Sequence, residues 1–381
     1  MATYKGIQGY TVQKLSSDPT ASEAEGQLFY NSSTGKFKIG ATTTAAWSSG
    51  GTVNTARGQI ANSGTGNTSA LAFGGYNPSP IAAFDQTETY NGTTWTEVGD
   101  LNTARGTAEG AGTQTAAIAM GGKTVPAVVA NVEDWNGTSW TETTDLTTAK
   151  RAVFGIGFTN TAALAAGGRT ATAAVGTTES WNGTSWTELG DLGTARYHGA
   201  RGGTQTSAII AGGDISPPTA QSVSETWNGT SWTETADMSR PGGRTWFGEA
   251  GKSSTAAIAF GGAPGNQDLT ETWDGSSWTE VADLNTGRRY NMGFGTSTLA
   301  VSASGYVTNA VVGNVEQWDG SSWAEVANVS TSRYNAGSAG TSAAGLIAGG
   351  DRNAPLPAPG MSVLTEEWTG ESTDAASVTS S

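Results

Sequence analysis

The chain has 381 residues, with 14 % charged positions, 55 glycines and 14 tryptophans, a mixture that excludes a helical bundle and suggests many short strands joined by tight turns. Its 19 Lys+Arg and 33 Asp+Glu give a formal charge of −14, which disfavours nonspecific contact with nucleic acid or anionic lipid. No cysteine is present, so disulfides, thiolate metal sites and thiol nucleophiles are excluded, and the single His198 leaves little scope for imidazole chemistry.

Residues 1–10 carry no apolar stretch, so no secretory signal is expected, and nothing in the sequence approaches the ~18 apolar residues of a membrane span. Residues 26–39, GQLFYNSSTGKFKI, alternate on either side of a Ser-Ser-Thr-Gly turn and predict a hairpin. Trp47 follows, heading SSGGTVNTAR in the register of the Trp-led repeat ends that come later, such as WTEVGDLNTAR at 95–105.

From there the chain is repetitive, with a period of roughly 43 to 49 residues, in the range of propeller blades. Gly-Gly pairs recur at Gly74, Gly121, Gly167, Gly212, Gly261 and Gly349, with Ser304-Gly305 in the sixth register. A Glu-x-aromatic triplet recurs at Glu88, Glu133, Glu179, Glu225, Glu271, Glu316 and Glu366. Each repeat parses into four strands. Strand A is Gly-rich and follows a basic residue, strand B is apolar and ends in Gly-Gly, strand C carries the Glu-x-aromatic, and strand D opens with a second Trp. The C–D turns read NGTS or DGSS, where Asn-Gly or Asp-Gly supplies positive φ. The seventh repeat ends after Trp368 without its second Trp, whereas Trp47 has a strand D register and no strand C before it. The N-terminal strand is therefore expected to complete the last blade and remove the sheet edges.

These features resemble the kelch-repeat family over about residues 42–369, with Trp where kelch proteins usually have Tyr in strand C. The expected fold is all-β: a seven-bladed kelch-type β-propeller closed by an N-terminal outer strand, plus a small hairpin extension. The expected divisions are an attachment segment 1–41, a propeller 42–370 and a C-terminal tail 371–381. The 26–39 hairpin in turn resembles a short segment near the N-termini of bacteriophage tail-fibre and other virion proteins. That resemblance implies assembly onto a particle.

Strand directions put the D–A and B–C loops on one face and the A–B and C–D turns on the other. Arg57, Arg105, Arg151, Arg196, Arg244, Arg289 and Arg333 open the seven A strands on the D–A/B–C face. They have two readings: structural contacts to the strand C glutamates, or a basic mouth that binds an acidic glycan. The B–C loops, residues 76–86, 123–131, 214–223, 263–269 and 351–364, vary most and hold most of the prolines, which makes this face the place for recognition. Candidate ligand-binding residues are Trp246, Tyr197, His198, Tyr290, Tyr76, Tyr306, Arg196 and Arg244, with Trp246 the leading candidate for stacking on a sugar because it is the Trp outside the blade register.

Catalysis is not expected. Kelch-type copper oxidases need a cysteine and several histidines, and the Asp-Gly of WDGSSW has the wrong spacing for a sialidase Asp box. The acids recur in blade after blade, as scaffold does. No cofactor or metal is expected. The expectation is thus a phage virion protein of tail-fibre or receptor-binding type, made in the host cytoplasm and assembled onto the particle. Its partners would be other virion proteins through the N-terminal segment and a host-surface glycan, with no nucleic acid or membrane insertion; a homo-oligomer is compatible. The alternatives are a capsid decoration or tail-structural subunit whose propeller contacts proteins, and, more remotely, a polysaccharide-cleaving enzyme.

Overall fold

The computed structural model describes residues 12–16, 28–78, 81–216, 219–251, 253–352 and 360–377. Parts of three B–C loops, including Pro80, Pro217, Pro218, Pro355, Pro357 and Pro359, lie outside the described residues. Two compact units are formed, Trp47–Trp368 and a smaller one that joins Met1–Ala46 to Thr369–Ser381.

In the smaller unit the sequence around Asn31 turns as its composition predicts. Leu28–Asn31 pairs antiparallel with Lys36–Thr43, and the Asn31 side-chain oxygen accepts from the amides of Ser33 and Thr34, both at 3.0 Å. The sheet is larger than a hairpin. Gln13–Leu15 adds in parallel to one edge, and Ser372–Ser377 pairs antiparallel with Lys36–Thr43 on the other. The residues expected to form a separate C-terminal tail therefore supply a strand of this unit.

The larger unit is all-β, with no helix among the described residues, an architecture consistent with a β-propeller. It holds seven four-stranded sheets. Sheets one to six take their four strands in chain order, with first strands Ala61–Gly66, Glu109–Gly112, Phe154–Thr159, Ala200–Thr204, Gly248–Ala250 and Met292–Gly295. Sheet seven runs Gly337–Gly340, Ala344–Ala348, Thr365–Thr369 and then Ala46–Ser49.

Second strands such as Ala117–Met120 are wholly buried and apolar throughout, because each is covered on both sides by neighbouring sheets. First strands are Gly-rich because they crowd one another. A Cβ on Gly110 would lie 2.8 Å from both the Asn62 carbonyl and the Phe73 ring. On third and fourth strands the two aromatics face each other across the hairpin, as with Trp135 and Trp140, whose ring centroids are 5.3 Å apart. Trp47 and Trp368 make the same pair, also at 5.3 Å.

The second Trp also ties its sheet to the preceding one. The indole N–H of Trp140 donates to Thr87 Oγ1 at 2.8 Å, Trp232 to Thr178 at 2.9 Å, Trp278 to Ser224 at 2.9 Å and Trp323 to Thr270 at 2.9 Å. Trp95 of sheet one donates to Thr365 of sheet seven at 2.7 Å. Where the equivalent third-strand residue is Val132 or Val315, no hydroxyl is present. There the indole nitrogens of Trp186 and Trp47 are buried without a partner among the described residues.

The turns between third and fourth strands follow the sequence. Asn91 Oδ1 accepts from the amides of Thr93 and Thr94, and Asp274 Oδ1 from those of Ser276 and Ser277. These amides and the Ser276 hydroxyl hold the exposed Asp274 carboxyl down at about 2, so it serves as a turn acceptor.

Candidate ligand-binding face

Entry into each sheet is fixed by one buried ion pair. The pairs are Arg57–Glu88 (2.8 Å), Arg105–Glu133 (2.5 Å), Lys150–Glu179 (3.2 Å), Arg196–Glu225 (3.1 Å), Arg244–Glu271 (2.5 Å), Arg288–Glu316 (2.8 Å) and Arg333–Glu366. All seven cations are fully buried. Burial lowers each cation's pKa, and the facing glutamate opposes that shift. The second carboxylate oxygen accepts from the backbone of the incoming loop, as in Asn102 N to Glu133 Oε2 at 2.7 Å and Gly193 N to Glu225 Oε2 at 2.7 Å. Each glutamate thus clamps both the cation and the loop that delivers it.

This geometry corrects two expectations. Arg196 and Arg244 are not at a mouth where a ligand reaches them; they are structural cations with no exposed surface. The interior register also takes Lys150 and Arg288 rather than Arg151 and Arg289. Two basic doublets, Lys150-Arg151 and Arg288-Arg289, made the alignment ambiguous by one residue, and the carboxylate pairing resolves it.

One residue beyond each interior cation, the backbone bridges to the residue after the Gly-Gly pair. The seven bridges are Gly58–Tyr76, Gly106–Lys123, Arg151–Arg169, Tyr197–Asp214, Thr245–Ala263, Arg289–Tyr306 and Tyr334–Asp351. Two residues beyond each cation stand Gln59, Thr107, Ala152, His198, Trp246, Tyr290 and Asn335, all with φ between 49° and 57°. None is glycine, and a non-glycine residue in this region is uncommon, most of all a bulky one. Backbone bonds join members of this set to one another: Ala152 N to Thr107 O, Trp246 N to His198 O, Tyr290 N to Trp246 O and Gln59 N to Asn335 O, at 2.8–3.4 Å. All seven line one cavity of about 310 Å³ together with the first strands. Deeper in, Arg201 crosses that space to Glu109 (2.5 Å) and donates through Nε to the Gly155 carbonyl (3.1 Å), while its amide donates to Glu249 (2.8 Å).

The scaffold constrains backbone at these positions but not side-chain identity, and on sheets four to six they are aromatic, His198, Trp246 and Tyr290, while sheet seven adds Tyr334 one residue earlier. Tyr197 and His198 lie 4.6 Å apart, His198 and Trp246 3.5 Å, Trp246 and Tyr290 4.8 Å, Tyr290 and Tyr334 5.8 Å, and Tyr334 and Tyr306 5.6 Å between ring centroids. Of the candidate residues, the structure thus brings Tyr197, His198, Trp246, Tyr290 and Tyr306 into one array, with Tyr197 buried as part of its wall. Tyr76, beneath the Lys123 ammonium at 5.6 Å, lines the same 270 Å³ cavity as Trp246, Tyr290 and Tyr306.

Cations flank the array. The Arg289 guanidinium lies over Tyr306 (5.1 Å) and Tyr290 (5.6 Å), and that of Arg169 over Tyr197 (5.5 Å). Burial, helped by Arg151 and Arg169, pushes the His198 imidazole down to about 3, so it is neutral at pH 7. Burial pushes the Asp351 carboxyl up to about 6 against an opposing hydrogen bond from Asn335. Burial also raises Asp214, opposed by bonds from Thr245 and Trp246 and by the charge of Arg169. Arg169, Tyr334, Asp214 and Asp351 escaped sequence reasoning. The signal was available, since three of the four occupy the same post-Gly-Gly register as Tyr76 and Tyr306. Among the described residues no group of three or more His, Asp or Glu side chains is placed to hold a metal ion.

No family model matches the chain, and no curated protein matches it in sequence. Among solved structures it is similar to that of YjhT, with 12 % identity and a TM-score of 0.56, over 73 % of this chain and 99 % of that one. A likeness at this identity bears on the fold alone.

Proposed function

We propose that the larger unit is a seven-bladed, kelch-type β-propeller closed by Ala46–Ser49, and that it is a non-catalytic carbohydrate-binding module carried on a phage particle. Several contacts support the closed ring: sheet one reaches sheet seven through Trp95 and Thr365 and through Gln59 and Asn335, and first strands of neighbouring sheets pack together. The Trp47–Trp368 pairing supports closure by the N-terminal strand.

The observation that carries the binding reading is the aromatic array from Tyr197 to Tyr306, set at register positions where the repeat leaves side-chain identity free. Trp246 and Tyr290 are half-buried and line shared cavities, the arrangement in which a sugar ring stacks while neighbouring polar groups take its hydroxyls. The phage setting rests on the resemblance of residues 26–39 to virion attachment segments. In this reading residues 1–41 join other virion proteins and the propeller meets a host-surface glycan.

The test has two parts. Host polysaccharide should bind the intact chain and lose at least about tenfold in affinity with Trp246→Ala, the scale of a central aromatic contact; equal affinity for the variant overturns the face assignment. Sustained release of reducing ends during incubation overturns the non-catalytic reading. Immunogold against the propeller should label fibre tips or the distal tail. Gold spread over the head favours a decoration subunit, and no gold removes the virion reading.

A further inference from the structure

Arg151 and Arg169 stand directly opposite each other in a two-way backbone bridge, each amide donating to the other's carbonyl at 2.9 Å. Like charges placed opposite one another across strands are destabilising. Every cation of the interior register, and Arg201, has a carboxylate within ion-pair distance, yet among the described residues Arg151 and Arg169 have none. Both are only half-exposed, and the Nε of each is buried with no partner among the described residues. The nearest acid in their cavity, Asp214, accepts from Thr245 Oγ1 at 3.0 Å.

The two guanidiniums share a cavity of about 330 Å³ with Tyr197, His198, Asp214 and Trp246. Arg169 is held in place over the Tyr197 ring, its Nη1 3.5 Å from the phenol oxygen. His198 and Trp246, with ring centroids 3.5 Å apart, also line it. Resting on the carbohydrate reading above, we propose that this cavity is an acid-sugar subsite in which Arg151 and Arg169 jointly bind a carboxylate or sulfate of a saccharide whose ring lies against Trp246 and His198. Two planar guanidinium forks match such oxyanions bidentately, and the cavity volume suits a single sugar unit. Binding of the anion also relieves the repulsion between the two cations. The neutral His198 beside them adds no third charge and presents an apolar ring face.

The experiment titrates the intact chain with an oligogalacturonide, a sulfated dextran oligomer and neutral dextran, by calorimetry at two salt concentrations. At least one acidic oligomer should bind about tenfold or more tighter than neutral dextran, with affinity falling as salt rises, in line with hydrogen bonds to charged groups. Arg169→Gln should abolish that preference, bringing the acidic oligomer down to the affinity of neutral dextran for the same variant. Equal binding of all three oligomers, or an acidic preference that survives in Arg169→Gln, overturns the subsite and leaves the carbohydrate reading standing. Binding of none of the three also overturns the subsite, and the carbohydrate reading is then decided by the host-polysaccharide titration.

Discussion

His198 shows how one side chain on this face couples protonation to stability. In the folded chain its pKa is pushed down to about 3, against about 6.5 for an unfolded histidine. As pH falls below the unfolded value, the unfolded chain takes up a proton that the folded chain refuses, so stability is lost progressively between about pH 6.5 and 3. Asp351 acts in the opposite sense: its carboxyl, raised to about 6, contributes stability that is complete below the unfolded value near 3.9 and lost as pH rises through about 6. A His198→Gln variant should therefore lose less stability than the unsubstituted chain between pH 7 and pH 4 in denaturant titrations. An unchanged pH slope would mean that the imidazole ionises within the fold, despite the neighbouring Arg151 and Arg169.

Between neighbouring sheets, the unit of attachment is an indole and a hydroxyl. Where Thr87, Thr178, Ser224, Thr270 or Thr365 opens the third strand, the next sheet's Trp finds an acceptor; where valine does, it does not. A buried donor left unpaired costs about 1–3 kcal/mol, so Val132→Thr should stabilise the chain by about 1 kcal/mol through Trp186, and Thr270→Val should destabilise it similarly through Trp323. Thermal melts of the two variants check this; a destabilised Val132→Thr would show that burying the hydroxyl outweighs the bond. The period, the Gly-Gly pairs and the Trp pairing that define these sheets were legible in the sequence because each repeat solves the same packing problem. The interior cation at sheets three and six was not, since Lys150-Arg151 and Arg288-Arg289 offer two adjacent candidates and only the position of Glu179 and Glu316 chooses between them.

For the larger unit as a whole, one strand from far away in sequence completes sheet seven. A chain lacking residues 1–49 leaves Trp368, which is fully buried, without Trp47 and exposes the edge of Thr365–Thr369. Such a chain should melt at a lower temperature and self-associate, and a peptide spanning residues 42–55 should reverse both effects in calorimetry and sedimentation. Retention of the full melting temperature would show that the outer strand contributes little to this unit.

The sequence by itself determined the all-β class, the repeat and its four strands, the Asn-Gly and Asp-Gly turns, and the variable face, because these follow from local periodicity and turn chemistry. It also named much of the aromatic array, since Tyr197, His198, Trp246 and Tyr290 break the repeat's pattern. Only the tertiary structure decided which cations are interior, that Arg196 and Arg244 are clamped by Glu225 and Glu271, and that Arg151 and Arg169 face each other with no carboxylate within ion-pair distance among the described residues. The reason is physical: pairing and burial depend on which side chains meet across strands distant in sequence, and a one-residue step along a strand turns a side chain from the interior to the face.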